Sequence, residues 1–135
     1  MRIGRFAPSL ILNVVVTFHL VLGTLVLASN LVVAVWGGLV WRGRARPNQA
    51  FAQILAFSHA ATIGQSFIGL LLLSGGNRAP QQLHYVYGIV PAVLILFGYS
   101  SRTSDARRNI GVFALVAFLV LLVAARAYMT GRGMG

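Results

Sequence analysis

The placement of charge constrains this chain more than any other feature. No Asp, Glu, Lys or Arg occurs at positions 6–41 or 47–77, and none at 79–101 or 109–125. About 20 mostly apolar residues are enough to cross a bilayer core as a helix. The four uncharged runs therefore predict four spans, at about 10–37, 50–74, 82–100 and 109–129. The expected fold is all-α: an integral membrane antiparallel four-helix bundle, with residues 1–135 forming a single transmembrane domain.

Composition narrows the function. Charged residues make up 9% of the 135 residues and hydrophobic ones 58%, whereas a soluble domain carries about a quarter charged residues. All 11 cations are Arg, and Asp105 is the only acid. A net charge of +10 can signal nucleic-acid binding, but such proteins spread their cations over a polar, Lys-rich surface. No such surface can form here, and no nucleic-acid partner is expected. The scarcity of carboxylates excludes paired-carboxylate hydrolysis and Mg or Ca sites. The absence of Cys excludes disulfides, thiolate nucleophiles and Cys-based metal centres.

The connections carry turn and cap chemistry. Pro47 or Asn48 suits the start of the second helix, and Gly75 or Gly76 its end. Pro80 suits the first turn of the third helix, and Ser104 or Asp105 the N-cap of the fourth. Loops this short join antiparallel neighbours. Arg2 and Arg5 give the N-terminus the charge of a signal sequence. The apolar run beyond them far exceeds an h-region of about 7–15 residues, so an uncleaved first span is expected. Counting Arg in the loops but not at the chain ends places Arg42, Arg44, Arg46, Arg102, Arg107 and Arg108 on one side against Arg78 on the other. The positive-inside rule then puts both termini outside. A bacterial inner membrane is the expected location.

Three histidines, His19, His59 and His84, fall in different spans. Ionisable groups inside a membrane point to function by default. His59 shares a helical face with Ala52, Ala56, Thr62, Ser66 and Gly69, a small and polar stripe. His19 shares one with Gly23, Val26 and Asn30, and His84 one with Tyr87, Gly88, Pro91 and Gly98. One reading makes His19, His59 and His84 metal ligands, two of them holding heme b between facing helices, with Arg78 pairing a propionate. The other gives each His an interhelical hydrogen bond. Depths of about 0–5 Å for His84, 15 Å for His19 and 22 Å for His59 favour a His19–His59 pair, with His59–His84 as the rival. Gln65, Ser66, Asn13 and Asn30 read as packing contacts between helices. Arg126 reads as a snorkelling cation, and Pro91 as a kink whose freed carbonyl a neighbouring helix satisfies.

The run Gln65-Ser66-Phe67-Ile68-Gly69, a Gly-containing loop and then Leu83-His84 resembles part of a four-helix half of heme A synthase. The chain is similar also to small b-type cytochromes of the membrane in placing His on separate spans. The resemblance covers about a third of the chain. It implies that His84 is a heme ligand and that His19 stands for its partner on an earlier helix. The chain lacks that family's His-Arg pair, its acidic residue in a span and its loop cysteines. Those departures bear on oxidative chemistry at heme rather than on heme binding.

The leading expectation is a small subunit that binds heme b and serves electron transfer in or beside a larger redox complex, with other membrane subunits as partners and no catalytic activity of its own. A second is an accessory subunit of a respiratory or photosynthetic complex, either without cofactor or holding a chlorophyll-type pigment on one His. A third is a transporter of a small solute, for which only Pro91 offers a sign.

Overall fold

The computed structural model describes residues 6–134, with side chains from Pro8 onward. Arg2 and Arg5, which entered the reading of the N-terminus, lie outside the described residues. Every regular element described is helical: α1 is Phe6–Trp41, α2 Gln49–Ser74, α3 Leu83–Ser100 and α4 Ala106–Gly131. All four are long and apolar enough to cross a membrane.

The helices overrun the predicted spans at most ends because caps, not hydropathy, decide where a helix stops. Asn48 accepts a hydrogen bond from the Phe51 N–H at 2.9 Å, and Asp105 accepts one from the Arg108 N–H at 3.1 Å. Each side chain satisfies one of the free amides of a first turn. Three helices close on a glycine in the left-handed region: Gly43 (φ 72°), Gly76 (φ 86°) and Gly133 (φ 74°). In each, the residue after the glycine donates back to a carbonyl of the last turn: Arg44 to Leu39 at 2.8 Å, Asn77 to Leu72 at 3.0 Å and Met134 to Met129 at 2.9 Å. This is the Schellman arrangement, in which a side chain at the glycine would be strained. Pro80 departs from expectation. It stays in the loop, and α3 opens at Leu83 instead.

Each helix packs on two others. α1 lies against α2 and α4, and α3 lies against α4 and α2, so α1 and α3 face each other across the middle. The α1–α4 contact is the most extensive and the α2–α3 seam the loosest. Val26, Val33 and Val40 recur every second turn of α1 and are buried. Val26 joins Ala61, Ile95, Val116 and Val120 in a core to which every helix contributes. The earlier part of α1 buries nothing comparable: positions 8–14 are all exposed. At 36 residues the helix is about 54 Å long, and its first turns overhang its neighbours.

Close backbone approach fixes the other end. A Cβ on Gly111 of α4 would sit 2.6 Å from the Trp41 ring, and one on Gly37 of α1 would sit 3.0 Å from Ala114. Arg107 Nε donates to the Trp41 carbonyl at 2.7 Å, serving one of the acceptors that the end of α1 leaves free. Trp36 meets Phe51 edge-on at 5.6 Å. Gly111→Ala is expected to displace Trp41 and lower stability by about 1–3 kcal/mol. Gly38→Ala, which fills open space, should change stability by less than about 0.5 kcal/mol. Thermal unfolding in detergent, followed by Trp fluorescence, checks the pair.

Candidate functional site

A cavity of about 350 Å³ opens between the helices at the end where α1 and α3 begin and α2 and α4 finish. Its size falls in the range of small-molecule sites, about 300–1,000 Å³. The walls are mostly apolar. His19 and Gly23 come from α1, Gln65, Ser66 and Gly69 from α2, His84 and Gly88 from α3, and Gly131 from α4. Arg78 in the loop after α2, and Arg132 just beyond α4, also line it.

His19 and His84 meet here from opposite helices. Their ring centres are 6.2 Å apart and their planes are 76° apart. The expected pair, His19 with His59, is not brought together. Counting residues inward from a span's end overstates the depth of His19, because the first turns of α1 stand beyond the rest of the molecule. The same overhang brings His19 level with the first turn of α3, where His84 sits.

His84 is held in one tautomer. Its Nδ1 lies 2.8 Å from the Ala127 carbonyl of α4. A carbonyl only accepts, so Nδ1 carries the hydrogen and Nε2 keeps a free lone pair. This is how proteins commonly orient a metal-binding imidazole. Gly131 gives the ring its place, since a Cβ there would stand 2.9 Å from the His84 Cε1. His19 is held differently. Gly69 backs it, where a Cβ would lie 3.3 Å from Cε1. Its Nε2 is 3.4 Å from the Gln65 amide nitrogen, and Gly23 makes room for that amide. Among the described residues, His19 Nδ1 and Gln65 Oε1 are buried with no hydrogen-bond partner. Unpaired buried polar atoms are costly, so the cavity keeps unused hydrogen-bonding capacity.

His59 lies elsewhere, 5% exposed. Its Nδ1 is bonded to the Tyr99 hydroxyl at 3.0 Å, and its ring packs on Phe113 at 5.2 Å. That is the interhelical alternative. Asn30, Thr62 and Ser66 also tie helices together. Asn30 Nδ2 donates to Thr62 Oγ1 at 3.2 Å, and the Ser66 hydroxyl donates to the Gly88 carbonyl. Gly88 is one residue past Tyr87, whose carbonyl Pro91 leaves without its usual helical donor. Among the described residues, no three potential metal-ligating side chains of His, Cys, Asp or Glu gather in one place. Any metal here would depend on the two imidazoles and on ligands of its own.

Three contributors were missed from sequence. Gln65 was taken for a packing residue, although it falls four positions before Gly69, one turn along the same face. Gly131 lies past the predicted end of the fourth span, and Arg132 was counted only as a terminal cation. Tyr99→Phe removes the sole hydrogen bond of the His59 ring. It is expected to lower stability by about 1 kcal/mol, as read by thermal unfolding in detergent. Comparison with family models, curated proteins and solved structures finds no match to this chain, so the site is read from its geometry alone.

Proposed function

We propose that this chain is an integral membrane protein that binds heme b between His19 and His84 and serves electron transfer in or beside a larger redox complex. In this reading its four helices form an antiparallel bundle with both termini outside, in a bacterial inner membrane. The observation that carries the reading is the 6.2 Å separation of the two rings across the cavity. Two iron–nitrogen bonds of about 2 Å, plus about 1 Å from each nitrogen to its ring centre, put the rings of a doubly ligated iron about 6 Å apart. His19 and His84 would hold the iron from the two sides of the cavity. A distal imidazole leaving room for a further ligand would stand farther away.

The chain's own residues divide the work. His84, fixed by the Ala127 carbonyl, supplies the oriented nitrogen. His19 supplies the opposing one once its contact with Gln65 gives way. Gly69 and Gly131 bring neighbouring backbones against the two rings without side chains that would fill the space. The apolar walls exclude water, which helps set a reduction potential. Heme b, when bound, supplies a one-electron couple. The resemblance to heme A synthase implies the same two histidines.

Detergent-purified protein, as isolated or given hemin, is expected to show a Soret band and, after dithionite, a sharp α-band. His84→Ala should abolish both. His19→Ala should weaken binding and remove the six-coordinate signature, and His59→Ala should leave the spectrum intact. Absence of any visible band with hemin added would instead favour a cofactor-free accessory subunit. A red band without iron would favour a chlorophyll-type pigment.

A further inference from the structure

The mouth of the cavity carries two cations and no side-chain anion. Arg78 and Arg132 both line it. The chain's single acid, Asp105, is used at the opposite end of α4, where it caps the first turn. Neither Arg at the mouth can therefore be paired with an Asp or Glu side chain of this chain. For Arg132 the guanidinium itself is held, and for Arg78 the backbone on either side. The Arg132 guanidinium lies 4.4 Å from the centre of the Tyr128 ring, one turn back on α4, an attraction between a cation and an aromatic face. Arg78 sits in a loop fastened on both sides. Before it, the Asn77 N–H donates to the Leu72 carbonyl at 3.0 Å. After it, the Ala79 N–H donates to the Tyr85 hydroxyl at 2.8 Å.

Two guanidinium-bearing residues line an apolar cavity with no carboxylate side chain of this chain to neutralise them, which favours an anion there. A guanidinium matches a carboxylate in shape and offers it paired donors. Resting on the heme reading above, we infer that Arg78 and Arg132 select a ligand that carries two free carboxylates at one edge of an otherwise apolar plane. The required class is a dicarboxylate tetrapyrrole. An esterified chlorin, which has no such pair of charges, is disfavoured at this mouth. A lipid phosphate offers similar oxygen chemistry, but it has no planar body to place between the imidazoles deeper in the cavity.

The test compares binding of iron protoporphyrin IX and its dimethyl ester to the full chain in detergent, by titration of visible absorbance. The native protein is expected to bind the free acid at least about tenfold more tightly than the ester. In the double variant Arg78→Gln, Arg132→Gln the preference should fall to about twofold or less, through weaker binding of the acid and not tighter binding of the ester. Both positions are exposed, so the variant should keep its helical circular dichroism. Equal affinity of the native protein for acid and ester would overturn the inference while leaving heme binding in place, as would a preference that survives in the double variant. Competition by phosphatidylglycerol vesicles that vanishes in the double variant, with acid and ester bound alike, would reassign the mouth to lipid phosphate. Failure of the native protein to bind either porphyrin would remove the heme reading and this inference together.

Discussion

A few polar side chains on these apolar helices bond across to a neighbouring helix, and those bonds set how the helices are registered. Asn30 reaches Thr62 across α1 and α2. Ser66 reaches the Gly88 carbonyl from α2 to α3. His59 meets Tyr99 between the same two helices, and His84 meets the Ala127 carbonyl of α4. Arg107 closes α4 onto the end of α1. Each bond is modest alone, about 1 kcal/mol in such surroundings. A slip by one residue along any helix would break several at once and bury their donors unpaired.

The two ends of the molecule solve different problems. Around Trp41, Phe51, Phe113 and Tyr99, rings fill the space that Gly37, Gly98 and Gly111 leave. At the other end the glycines serve rings that converge on a cavity, and the α2–α3 seam is loose. One end is closely packed and the other holds the cavity. Among the described residues, two of the three buried side-chain atoms without a hydrogen-bond partner belong to His19 and Gln65 at the cavity, and the third is His59 Nε2 at the packed end.

Much of this was legible in the sequence, for identifiable reasons. Long uncharged runs gave the four helices, and Asn48, Gly76 and Asp105 marked the two ends of α2 and the start of α4 because capping chemistry is local. The packing roles of Asn30 and Ser66 followed from small polar residues on shared faces. The pairing of His19 with His84 did not follow from depth, because depth was counted from the ends of apolar runs. Hydropathy cannot reveal that positions 8–14 of α1 are exposed. Gly131 and Arg132 were missed because they sit where an apolar run has already ended. There the helix continues on its own hydrogen bonds.

The order of helices around the molecule also bears on how the chain is made. Its most extensive contact joins α1 to α4, with α2 and α3 made in between. The bond from Arg107 to the Trp41 carbonyl spans 66 positions of sequence. Until α4 emerges, the Val26, Val33 and Val40 face of α1 lacks its main partner, and Trp41 has no Gly111 to rest on. The ring of helices can close only once α4 has been made. A truncation before α4 would leave α1 packed on α2 alone and open the cavity on the side that Ala127, Tyr128 and Gly131 line.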